Sequence, residues 1–307
     1  MSTDAPRSFF VAGATGQTGD PVTRLLLSRG HQVRAFVHSP DARSKSLAEA
    51  GADVIVGDLL DLDAVRAALE GAHAGYFLYP IHPGLIQATA FFAQAAHEAN
   101  LAAVVNMSQI SSRRDAGSHA AQEHWVAERI LDRAPVPVTH VRPTFFAEWF
   151  TIFAGSIARE DVLRLPLGHG RHAPIAAEDQ AHVIAEILLD PEPHTGQIYP
   201  LYGPVEMDHF EIAGEISTAL GRTITYEPID FDPGFADALA AMGLSAHVLQ
   251  HLRNVALDYQ AGIFAGTNDI VERVGKKEPL GVADFIRKNH ELFDRITAAA
   301  SDTNAGQ

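Results

Sequence analysis

Seven residues, Gly13-Ala14-Thr15-Gly16-Gln17-Thr18-Gly19, carry the spacing GxxGxxG and could hold a phosphate without any charged side chain. Gly13 permits a tight turn, Gly16 lets the backbone approach a pyrophosphate, and Gly19 lets a helix lie close against a strand. Free N–H groups at the start of that helix, with Thr15, Gln17 and Thr18 between the glycines, would meet the negative charge. Such a trio also fits a plain strand-to-helix loop, so its meaning rests on the elements around it. A second group is aromatic: Phe145, Phe146, Trp149 and Phe150 put four rings in six positions. These could stack a flat ligand or fill a core joint. Trp149 and Phe146 are the expected ligand contacts, with the other rings mainly in the joint. His247 and His251 have the i, i+4 spacing of a metal pair, but no HExxH glutamate lies between them and the chain holds 16 histidines. No metal site is expected.

The apolar run Ser8–Ala12 predicts a buried strand, and Thr18–Arg29 a helix with Pro21 in its first turn and Gly30 just past its end. His31–Val37 predicts a second strand, closing the strand–helix–strand unit within the roughly thirty residues a dinucleotide site needs. An NAD-selective site would end this second strand on an acidic side chain. Here it ends Val37-His38-Ser39, with Arg34, Arg43 and Lys45 near, which suits a 2′-phosphate and favours NADP(H) while leaving NAD(H) open. Arg43 and Lys45 read equally well as a solvated helix face. The alternation continues with strands at Ala52–Val56, Ala74–Leu78, Ala103–Met107 and Val138–Val141. Helices at Asp61–Glu70, Gly84–Asn100 and Ala120–Arg133 stand between them. The pattern predicts an α/β, Rossmann-type, doubly wound parallel sheet. Ligands on such sheets bind beyond the carboxyl ends of the strands. The candidates there are Asp58, Leu59, Tyr79, Pro80, Ile81, His82, Asn106, Met107, Ser108, Pro143, Thr144 and Phe145. Asp58 could accept from an adenine amino group or cap the helix that follows. Ser108 could bond a carboxamide or substrate, or serve as a turn hydroxyl.

With 307 residues and 47% apolar content the chain can bury one large core and a smaller appendage. A formal charge of −15 opposes nucleic-acid binding, and the absence of Cys excludes disulfides, thiol nucleophiles and iron–sulfur clusters. Met1–Arg7 lacks a signal-peptide pattern, and no run reaches the roughly eighteen apolar residues of a membrane helix. The expected location is cytoplasmic, without membrane contact. Residues 1–7 and the tail from Ala298 read as loose ends. His169, Arg171 and His172 fall in a glycine-rich stretch that reads as a water-facing loop. Glu178 and Asp179 open a helix over Gln180–Leu189, where carboxylates suit the positive helix end.

These motifs resemble the short-chain dehydrogenase/reductase superfamily and, within it, the atypical NmrA-like group. GATGQTG matches that group's glycine motif, and VRAFVHS and VTHVRPTFFAEWF resemble its second and sixth strand segments. EDQAHVIAEILLDPEPHTGQIYPLYGP and EIAGEISTALGRTITYEPID resemble the C-terminal half that the group shares with triphenylmethane reductase and NADPH:quinone reductase-like proteins. The resemblance implies a dinucleotide-binding domain over 1–152, rejoined by 175–202, and a smaller α+β substrate-side domain from 153–174 and 203–298, with 299–307 a flexible tail. It also places the predicted helix Leu244–Phe264, carrying His247, His251 and Tyr259, over the cofactor. Ordinary members of the superfamily carry Tyr-x-x-x-Lys before a Glu. Aligning Glu128 with that Glu puts His124 at the Lys position and Ala120 at the Tyr position, and an Ala donates no proton. Two functions follow. One is an NAD(P)H-dependent reductase of a planar conjugated acceptor, a quinone, iminium or activated alkene, with His124 or water completing the proton step. The other is an NAD(P)-sensing regulator that binds a protein partner without turnover.

Overall fold

The structure is a computed structural model describing residues 5–295. Its first half runs β1 (Ser8–Ala12), α1 (Gly19–Ser28), β2 (Gln32–Val37), α2 (Ala42–Glu49), β3 (Asp53–Val56), α3 (Leu62–Leu69), β4 (Ala74–Phe77), α4 (Leu85–Glu98), β5 (Ala103–Met107), α5 (His119–Leu131) and β6 (Val138–Pro143). Phe9, Phe10, Val11 and Ala12 are all fully buried, as a strand covered on both faces requires. One core packs α1 and a later helix, residues 177–189, on one face of the sheet; another packs α3, α4 and α5 on the other.

Beyond β6 the chain forms α6 (Trp149–Ile152), α7 (Ala154–Glu160), β7 (Val162–Leu165) and β8 (Arg171–His172). It then returns to the large sheet as α8 (Ala177–Leu189) and β9 (Ile198–Leu201). The remainder is β10 (Met207–Asp208), α9 (His209–Leu220), β11 (Thr225–Pro228), α10 (Ala236–Ala241), α11 (Ala246–Gln260), α12 (Ile270–Arg273) and α13 (Val282–Lys288). The large sheet is parallel in the order β3-β2-β1-β4-β5-β6-β9, so the chain reverses direction between β1 and β4. That switch point is where such sheets bind ligands. Two two-stranded sheets, β10-β8 and β11-β7, belong to a separate apolar core that draws on α7, α9, α11 and α13.

Several expectations change. Arg7, expected in a loose end, is held: its carbonyl accepts the Gln32 N–H, and its guanidinium lies over the Phe9 ring. The glycine-rich stretch around His172 is not a water-facing loop. Residues Arg171 and His172 pair with β10, and the strand alternation turns His172 inward to complete burial while Arg171 meets Glu206 and Glu211 outside. The helix expected over Leu244–Phe264 is shorter, because Ser245 caps its start and Gly262, at φ +81°, follows its end. The expected tail over 299–307 lies outside the described residues. No helix among the described residues is long and apolar enough to cross a membrane.

Candidate active site

Three adjoining spaces cross the carboxyl ends of the large sheet. The outer lobe, about 590 Å³, is bounded by Gly13, Thr15, Gly16, His38, Arg43, Asp58, Leu59 and His82. An inner chamber of about 360 Å³ shares Leu78, Tyr79 and Pro80 with it and adds Gln17, Met107, Ser108, His124, Pro143 and His251. Phe145, Phe146 and Trp149 separate that chamber from an apolar recess of about 40 Å³ beside Phe150, Phe153, Phe231 and Phe235.

The glycine loop is shaped by close approach. Gly13 sits at φ +58°, and the Gly16 N–H donates to the Gly13 carbonyl at 2.8 Å. A Cβ at Gly19 would lie 2.2 Å from that same carbonyl oxygen, so α1 packs against the turn only without a side chain there. No side chain caps α1, because the Thr18 hydroxyl turns inward to Tyr76 OH at 2.8 Å. The Asp20 N–H is taken by the Gly16 carbonyl at 3.0 Å and Pro21 has none, so it is the backbone of Gly13, Thr15 and Gly16 that borders the outer lobe, whose shape fits a pyrophosphate. Thr18 and Gly19 stand behind the loop rather than in its lining, and Ser39 is exposed beyond the lobe.

Of the three basic residues near β2, only Arg43 borders the lobe; it pairs with Asp41 at 2.6 Å and reaches the Thr15 carbonyl at 3.3 Å. Arg34 instead donates to the Ala68 and Glu70 carbonyls, and Lys45 points along α2 toward Glu49. Asp58 accepts the Leu60 N–H at 2.9 Å, while Asp61 caps α3, so the capping role belongs to Asp61. His82, expected on the substrate, borders the outer lobe and not the chamber that holds Trp149 and His251.

At the inner chamber, Gln109 Nε2 is buried without a hydrogen-bond partner among the described residues, and the buried Ser108 Oγ lies beside the Glu128 carboxylate, which it helps hold ionised. Both Ser108 and Gln109 line the chamber, and Gln109 Nε2 is the polar group left there for a ligand. Ser118 caps α5; six residues on, His124 faces the chamber, and Ala120 is buried. Burial, helped by the nearby His251, pushes the His124 imidazole down to about 4 against the opposing pull of Glu128, so the ring is neutral at pH 7. Burial opposes ionisation of Glu128, but the Arg142 guanidinium, at 2.8 and 2.5 Å, overrides it and holds the carboxyl below its ordinary range.

The opposite wall is α11, from the smaller core, which contributes His251, Leu252 and Val255. It is fastened to the segment after β5 by a two-pronged Arg113–Asp258 pair at 2.7 and 2.6 Å. Gln250 adds bonds to the Gly117 carbonyl and the His119 N–H. Tyr259 does not reach the chamber: it is fully buried, bonded to His172 Nδ1 and, at 3.2 Å, to His209 Nδ1. The sequence reading missed Gln109, Leu252, Val255 and Phe264 in the lining. Gln109 follows the end of β5 and was within reach of the strand-end rule, which does find Thr144. The α11 and Phe264 contacts arise only from the packing of distant segments.

A parallel sheet with a glycine cradle at its switch point and a long cleft over the strand ends defines a Rossmann-type dinucleotide-binding protein. The chain belongs to the NmrA-like family, whose model matches residues 7–259. It is 27% identical over 285 residues to an NAD(P)H azoreductase of Xenophilus azovorans, covering 92% of this chain and 98% of that protein. It is 26% identical over 238 residues to quinone oxidoreductase 2 of Escherichia coli strain K12, covering 76% and 82%. Its fold matches the solved NADPH complex of an Escherichia coli NADPH-dependent quinone oxidoreductase with a TM-score of 0.80 at 22% identity, covering 92% of this chain and 99% of that one.

Proposed function

We propose that the protein is an NADPH-dependent reductase of a planar, conjugated, polarised acceptor such as a quinone, an iminium or an activated alkene. The observation that carries this reading is one cleft holding a glycine cradle at one end and an aromatic chamber at the other, with Ser108 and the unpartnered Gln109 Nε2 lining that chamber. Relatives named as an azoreductase and a quinone oxidoreductase, both acting on conjugated acceptors, support it.

The loop N–H groups and Gly16 would hold the pyrophosphate, His38 and Arg43 the 2′-phosphate, and Asp58 and Leu59 the adenine side. Ser108 and Gln109 would orient the carboxamide, and neutral His124 would bond the ribose. Phe146 and Trp149 would stack the acceptor, a contact worth about 0.5–1.5 kcal/mol per ring pair. The bound cofactor supplies a hydride; the chamber supplies alignment and exclusion of water. An acceptor that is already cationic or quinonoid takes hydride without a phenolic acid, which accommodates Ala120.

The test is NADPH oxidation by the purified protein with a panel of quinones, cationic dyes and azo dyes. Turnover with at least one class is expected, with NADPH preferred over NADH. Tight NADPH binding with no oxidation by any acceptor would instead favour a dinucleotide-sensing regulator. The absence of a Tyr at position 120 is the observation on that side.

A further inference from the structure

His251 is carried on α11, from the smaller core, into a chamber floored by α5 of the larger one. Its Nδ1 lies 2.8 Å from Ser118 Oγ, and both residues are buried. Ser118 Oγ already accepts the Ala121 N–H at 3.1 Å as the cap of α5. A hydroxyl has one proton to give, and of these two neighbours only the imidazole can accept it. The arrangement that gives the buried Ser118 proton a partner is donation to His251 Nδ1, which puts the imidazole's own proton on Nε2. The ring is neutral: burial, with His247 one turn earlier on α11, pushes it down to about 4 against Asp258. His124 across the chamber is neutral as well. No hydrogen bond among the described residues engages His251 Nε2.

We propose that His251 Nε2–H is the electrophile of the reaction, donating a hydrogen bond to the acceptor's conjugated oxygen, with Ser118 the positioning residue that keeps the proton on Nε2. This rests on the reductase reading above. Hydride delivers two electrons and one hydrogen to the acceptor, whose conjugated oxygen becomes an oxyanion while the nicotinamide leaves oxidised. His251 keeps its proton throughout and stabilises that charge, as a neutral imidazole can; water protonates the product on release. The substrate class narrows accordingly. Quinones and enones develop negative charge on oxygen and gain from His251. A cationic dye loses its charge on hydride transfer and does not.

Gln250 fastens the same junction through Gly117 and His119, so variants at His251 and Ser118 keep independent contacts holding α11 in place. In ¹⁵N-histidine-labelled protein without cofactor, the signals lost in His251→Phe should show a pyridine-like Nδ1 and a pyrrole-like Nε2 near neutral pH. Ser118→Thr should preserve that pattern and Ser118→Ala should mix it. His251→Phe should lower the ratio of kcat for a quinone to kcat for a cationic dye by about 10²-fold. A pyridine-like Nε2 in an active wild type overturns this proposal alone, as does an equal loss of kcat with quinone and dye. A wild type without turnover on any acceptor overturns the reductase reading as well.

Discussion

At the scale of single residues, the proposed 2′-phosphate contact rests on the rim of the outer lobe. Arg43 shares its guanidinium between Asp41 and the Thr15 carbonyl, but its side chain is 67% exposed, so that ion pair is weak and free to yield to a better partner. A 2′-phosphate is such a partner, because it offers charge and several acceptor oxygens to a planar fork. Arg43→Ser is expected to weaken NADPH binding by about tenfold and leave NADH unchanged, and His38→Asp to invert the preference. Fluorescence titration with both nucleotides reads this directly; equal losses for the two would place the preference elsewhere. The strand ending in His38 without an acidic residue was legible in the sequence. That Arg43 borders the lobe while Arg34 serves the end of α3 was not, because proximity along the chain does not say which way a strand or helix turns a side chain.

At the scale of elements, the junction of β1, the glycine loop and α1 combines fold and binding. The strand, turn and helix were readable from an apolar run, three glycines and Pro21, and they stand within a residue of their predicted bounds. The capping of α8 was less visible: Glu148 reaches across from before α6 to accept the Ala177 N–H at 2.9 Å. Likewise Arg113 and Asp258 meet across 145 residues, beyond what local pattern can show. The glycine loop offers a matched pair of tests. Gly19→Ala puts a Cβ against the Gly13 carbonyl and should push α1 off the turn, lowering dinucleotide affinity at least about tenfold along with Tm. Gly30→Ala meets open space but keeps φ +82°, so it should cost about 1 kcal/mol of stability and leave affinity intact. Calorimetric titration and thermal melts on the two variants separate cradle geometry from general destabilisation.

At the scale of the whole molecule, the two regions are joined over imidazoles that folding keeps neutral. Burial pushes His124 and His251 down to about 4 and His209 to about 3, from an ordinary 6.5. His172 moves the same way, by burial and then by His209. Between those values and 6.5 the unfolded chain binds protons that the folded chain does not, so stability rises with pH through this window. The contribution is fully present above about 6.5 and is lost progressively as the pH falls to about 4. Glu148 and Asp179, raised mainly by burial, take up protons in the folded state and offset part of the loss. Glu128, held low by Arg142, adds its own loss only at more acid pH. The melting temperature should therefore drop steeply from about pH 6.5 to about pH 4, and a His124→Gln, His209→Phe double variant should flatten that slope whatever its absolute Tm. Because His124 and His251 do not titrate in the neutral range, kcat should stay flat down to the pH at which the protein begins to unfold. An acid limb in kcat near pH 6.5 with the melt unchanged would mean that one of these rings is charged in the working enzyme, contrary to its burial.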